Sequence, residues 1–187
     1  VRAVGCLVLL ALWPTAAAGA ALTLTDVQRQ EAVRAGERSV TAETFGGEWR
    51  VSGAPGESAV VLTPFHRLAM AARHAAFNGK PLRASDRDRI LRQDRDRLVF
   101  WVSLRGPSGD FARHYVPRLV VGDRDLKPSF VQNEHTAARQ EDGRYLARCV
   151  YGFPTRDVEG RERVALVVAD AAGRDVARFT IDLAAMR

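Results

Sequence analysis

His66, Met70 and His74 are the first residues to suggest chemistry, because they recur at every fourth position. On a helix, side chains four apart advance about 40° per step, so all three project along one strip. Imidazole and thioether together make a donor set that suits a copper-type ion. Two features oppose a shared ion. The outer pair is separated by about 12 Å of helix axis, and Arg67 and Arg73 place positive charge beside the strip. The strip lies away from Phe65, Leu68 and Ala72, so the sequence predicts a solvated polar face, with His66, Met70 and His74 as its only metal candidates. The start of the same helix offers a second chemistry. The helix N-terminus at Thr63-Pro64-Phe65 could hold an anion through its free amides, with Arg67 and Arg73 following on the helix. Thr63 competes for those amides as its own N-cap.

Covalent catalysis has less to draw on. There is no G-x-S-x-G elbow, no H-E-x-x-H helix and no phosphate-binding loop. Cys149 alternates with Tyr145, Ala147 and Tyr151, which places it on the inward face of a strand as a small hydrophobe. The loop Gln132-Asn133-Glu134-His135-Thr136 holds an acid and a base close together, but a charged loop of that size is commonly just solvated. No enzyme activity and no cofactor is expected from these patterns.

The element that carries the histidine strip is also the best specified in the chain. Val60-Val61-Leu62 reads as a strand, Thr63 as N-cap, Pro64 as the first helical residue, and Asn78-Gly79 as the stop. Before it, Thr25 and Gln28 form a capping-box pattern that opens a helix at Asp26. Gly36 is read as the stop of that helix, whose thin apolar face predicts a surface position. After it, Ser85 is read as the cap of a third, shorter helix ending near Asp94. Strands are predicted at 48–52 and 58–62, then 98–104, 112–121, 128–133, 144–153, 163–169 and 175–183. Leu98 to Leu104 is apolar on both faces at its start, which predicts a central strand with one face in the core and the other under a helix. Pro117 cannot donate to a ladder, so its strand is expected at an edge or bulge. Residues 134–143 read as polar loop.

The resulting expectation is an α+β fold, mainly β: an antiparallel, loosely Ig-like sandwich of about seven or eight strands, with two to three short helices in the N-terminal half. Residues 1–20 read as a signal peptide. Arg2 precedes an apolar run from Val4 to Trp13, too short to span a bilayer, and Ala16 to Ala20 supply small residues for cleavage after Ala20 or Ala18. Residues 21–187 then form a single exported domain, periplasmic or secreted, with no transmembrane anchor once the leader is removed. Cys149 is its one thiol, so an internal disulfide framework and a cysteine-built metal site are both excluded.

The net charge is +6, carried by 28 basic against 22 acidic residues, and only Lys80 and Lys127 are not arginine among the bases. Most of that charge is interleaved with acids, as in Asp86-Arg87-Asp88-Arg89, a pattern that codon bias explains without a polyanionic partner. Nucleic acid is not expected as a partner of an exported chain. The reading that remains is a non-enzymatic interaction or structural module of the cell envelope, meeting an envelope protein or an anionic surface. The alternative is a binder of a small ligand, an anion or a metal on the polar face of helix 64–77.

Overall fold

The computed structural model describes residues 19–187, so the predicted leader falls almost entirely outside the described residues. The fold is α+β. Ten strands form two antiparallel sheets, and the three helices all precede the third strand. In chain order, α1 (Asp26–Arg38) leads through a 3-10 turn to β1 (Arg50–Ser52) and β2 (Ser58–Leu62). Next come α2 (Pro64–Phe77), α3 (Ala84–Arg92) and the long β3 (Arg97–Gly106). The rest is β4 (Val116–Val121), β5 (Arg124–Leu126), β6 (Phe130–Gln132), β7 (Ala138–Arg139), β8 (Tyr145–Pro154), β9 (Arg163–Ala169) and β10 (Asp175–Asp182). The larger sheet runs β1-β2-β3-β8-β6, with β7 also paired to β8, and the smaller runs β10-β9-β4-β5.

Period-two burial builds the interior. Phe100 pairs with Tyr151 and Val102 with Cys149 on the inner face of the larger sheet. Leu166 of the smaller sheet pairs with both Leu119 and Phe179. All of these side chains are buried in one continuous cluster that also takes in Leu68 of α2 and Val33 of α1. Each fully buried side chain of this size contributes about 1.5–3 kcal/mol, so the two-layer core is the main source of stability. Tyr145, Ala147, Cys149, Tyr151 and Phe153 share the inward face of β8 as their alternation predicts. Ala177, Phe179, Ile181 and Leu183 do the same at the end of the chain.

Several local expectations are corrected. α1 runs through Gly36 to Arg38, because Gly36 is a contact and not a stop. An added Cβ there would lie 2.1 Å from the Ala69 carbonyl oxygen, so the missing side chain lets α1 lie directly against α2. The helix read as a surface element thus contributes Ala32 and Val33 to the core. α3 starts two residues earlier than predicted, with Arg83 as N-cap, and Ser85 makes no cap. Its only pairs are surface ones, Arg83 and Arg89 on Asp86. Residues 112–115 form a turn, so β4 begins at Val116. Residues 138 and 139, read as loop, add the short strand β7 to β8. Pro117 sits where β4 is paired to β9 alone, since β5 reaches only Leu119 to Val121. Its missing N–H is therefore tolerated at a local edge.

Candidate functional site

Residues paired across a sheet share a face, and the register of the larger sheet builds a binding surface on its outer side. Arg50, Val60, Trp101, Val150 and Gln132 form one cross-strand row. Leu62, Val99, Gly152 and Phe130 form the next. Both rows point away from the interior, because their strand neighbours Val61, Phe100 and Tyr151 fill it. α2 leaves β2 after the single residue Thr63 and lies beside these rows, with a cleft on each flank. Met70, His74 and Trp101 line both clefts. The cleft beside the 3-10 turn has a volume of about 680 Å³ and is walled by Phe45, Phe77, Arg50 and Arg73. The cleft on the α3 side measures about 800 Å³ and is walled by Ile90, Arg97, Asp94 and Phe130. Trp101, 45 % exposed, stands between them.

The histidine strip departs from the predicted solvated face at His66. His66 is only 3 % exposed. Its ring stacks on Trp49, centroids 4.2 Å apart and planes 5° from parallel, with Phe45 tilted against it at 6.3 Å. The strip starts buried at His66, beside the 3-10 segment Gly47–Trp49, and opens to solvent by His74. His66 Nδ1 lies 2.9 Å from the Val61 carbonyl oxygen. A carbonyl only accepts, so Nδ1 carries the proton and Nε2 is left as a bare acceptor. Burial holds the imidazole below its ordinary pKa, against smaller opposing effects from the Val61 carbonyl and the Glu48 carboxylate. The ring is therefore neutral near pH 7.

Met70 is half-buried and His74 exposed, where its backbone carbonyl accepts from the Asn78 amide at 2.7 Å. His66 and His74 remain two helical turns apart, about 12 Å along the axis, and do not converge. Among the described residues no three of His, Cys, Asp and Glu are grouped as a metal centre would need.

The anion site read at the start of α2 is occupied by the protein itself. Thr63 Oγ1 accepts from the His66 amide at 3.1 Å and donates to the Arg187 main-chain oxygen at 2.6 Å. Trp49 Nε1 donates to that same oxygen at 2.8 Å. Arg67 turns aside, donating to the Ile90 carbonyl at 2.6 Å and lying 3.6 Å from Asp94. Arg73 is different. Its guanidinium lies 4.7 Å from the centre of the Phe45 ring, and its nearest acceptor is the Val40 carbonyl at 3.5 Å. Arg50 donates to Ser58 Oγ at 2.9 Å. Neither Arg50 nor Arg73 enters an ion pair among the described residues.

Among the described residues the other reactive groups are not brought together. Cys149 is 1 % exposed, and burial pushes its thiol up. In the loop after β6, Asn133 is held by the Tyr151 hydroxyl, which donates to it at 3.0 Å, and by the Tyr115 carbonyl. Glu134 accepts from the Arg148 amide at 2.5 Å and His135 is exposed, so the loop's acid and base serve no common centre. Phe45, Trp49 and Trp101 were not picked out by sequence as site residues. For Trp101 the signal was present: it falls out of phase with inward Phe100 and Val102, so its indole has to face outward. For Phe45 and Trp49 there was none, because a stacking partner four residues or more away leaves no local pattern.

Comparison with solved structures finds a distant likeness. A crystal structure of a novel protein of unknown function from Burkholderia pseudomallei K96243 superposes with a TM-score of 0.44 at 10 % identity, over 87 % of this chain and 91 % of that one. No family model matches the chain, and no curated protein matches it in sequence. No helix among the described residues is long and apolar enough to cross a membrane.

Proposed function

We propose that the chain is a non-enzymatic, exported binding module of the cell envelope, an Ig-like sandwich in the loose sense, that holds a small anionic ligand beside α2. The observation that carries this reading is the pair of clefts meeting at Met70, His74 and Trp101. Concave surfaces of this size with an apolar floor and a few polar groups are the usual form of a ligand site. The walls favour negative charge. Arg50 and Arg73 face the single carboxylate of Glu43 in one cleft, and Arg67 and Arg97 share Asp94 in the other. Among the described residues no nucleophile, base and orienting acid come together, a pattern that supports binding over catalysis.

Native mass spectrometry of the protein purified from its own cells tests the proposal. A bound small molecule is expected on the wild type, lost from Trp101→Glu and kept by Val176→Glu on the smaller sheet. No bound mass, or one indifferent to Trp101, would remove the reading.

A second reading has its own support. β10 is an eight-residue edge strand, and such an edge accepts an extended partner strand. An envelope protein would add there, opposite the β5 edge beside Pro117. Under this reading Thr180→Pro, which blocks pairing on the outer side, abolishes capture and leaves the bound small molecule unchanged.

A further inference from the structure

We infer that the cleft between α2 and the 3-10 turn takes a small hydroxyaryl carboxylate, its ring in the aromatic walls, its hydroxyl on His66 and its carboxylate on the arginines. The inference rests on the ligand-site reading above and names the chemistry of one cleft. Three independent features of that cleft converge.

His66 lines the cleft and is more than nine-tenths buried. Its Nδ1 is spent on the Val61 carbonyl, and no hydrogen bond reaches Nε2. Being neutral, the ring offers Nε2 as an acceptor only, so a ligand must bring a donor. Nε2 is not one of the fully buried polar atoms left without a partner, so it keeps an opening to the cleft through which a ligand donor can reach it. Arg50 and Arg73 line the same cleft without an ion-pair partner. They call for an anion, and a planar carboxylate matches a guanidinium fork. Glu43 is the one carboxylate in the lining, so cations are not favoured overall. Between these polar points stand Phe45, Phe77 and Trp101. Phe77 is largely exposed, and with Trp101 it offers flat apolar area that a ring covers better than a branched chain does. The other cleft lacks this combination, since Arg67 and Arg97 are both drawn to Asp94.

The test uses the full chain and three probes: para-hydroxyphenylacetate, phenylacetate, which lacks the hydroxyl, and tyramine, which replaces the carboxylate by an ammonium. Isothermal titration is expected to give saturable binding of para-hydroxyphenylacetate, about tenfold weaker binding of phenylacetate, and none of tyramine. His66→Phe keeps a ring against Trp49 and is expected to erase the difference between the first two probes. Arg73→Met weakens both. Nitrogen NMR of the wild type is an independent measure that needs no variant: the His66 Nε2 resonance moves on adding para-hydroxyphenylacetate and not on adding phenylacetate. Equal binding of tyramine, a hydroxyl preference that survives His66→Phe, or a stationary Nε2 signal would each overturn the inference. A bound native ligand of another chemical class, lost from Trp101→Glu, would also overturn it while leaving the ligand-site reading intact.

Discussion

His66 has nothing to gain from a charge where it lies. Trp49 covers one face of the ring, and the Val61 carbonyl is already satisfied by the neutral tautomer. Burial lowers its folded pKa below the ordinary histidine value, only partly offset by the Val61 carbonyl and by Glu48. The unfolded chain therefore binds the proton more readily than the folded one. Stability is at its full value above the unfolded pKa and declines as pH falls through the window between the unfolded and the lowered folded values. Urea unfolding at a series of pH values is expected to show that decline, and His66→Phe is expected to flatten it. A wild-type curve unchanged between pH 7 and 5 would contradict the burial argument. The sequence could not supply this. Its four-residue spacing placed His66, Met70 and His74 on one strip, which is correct, but which neighbour that strip meets is decided by Phe45 and Trp49, about twenty residues upstream. Thr63 was legible because its partner, the His66 amide, is three residues away.

At the scale of elements, the contact between α1 and α2 shows why glycine was misread. Gly36 has the chemistry of a helix stop, and only the approach of Ala69 explains why the helix continues through it. Alanine at this position adds about 1 kcal/mol of helix propensity. It also drives a methyl group to 2.1 Å from the Ala69 oxygen and 2.9 Å from the Ala72 side chain. The steric effect dominates, because backbone does not yield as a flexible side chain would, and overpacking of this kind costs about 1–3 kcal/mol. Gly36→Ala is expected to lower unfolding stability by about 1 kcal/mol net in urea melts, where an exposed helix would gain. The strands were more legible than the helix ends. Alternation is a local signal, and it located β2, β3, β8, β9 and β10 to within a residue or two. The two-residue β7 carries too little pattern to detect and exists only because β8 offers it an edge.

For the whole molecule, the packing of its first described residues bears on the proposed export. Ala20 is 2 % exposed, its amide donates to the Leu183 carbonyl at 2.8 Å, and Gly160 has no side chain that would strike its carbonyl. Cleavage after Ala20 would remove that buried methyl and hydrogen bond, together about 1–2 kcal/mol. Cleavage after Ala18 keeps both. N-terminal sequencing of the exported protein is thus expected to begin at Gly19, and a start at Ala21 would show that the Ala20 contact is dispensable. The two-layer architecture was legible because it follows from strand periodicity. The clefts beside α2 were not, because a concave surface belongs to no single segment. Lastly, the parallel stack of indole on imidazole has an optical consequence. Imidazolium accepts an electron from excited indole far more readily than neutral imidazole does, so acid dims the emission of Trp49. Because burial lowers the pKa of the neighbouring ring, that dimming is expected further to the acid side than for a free histidine. The protein carries its own pH-sensitive fluorophore, built from two natural side chains.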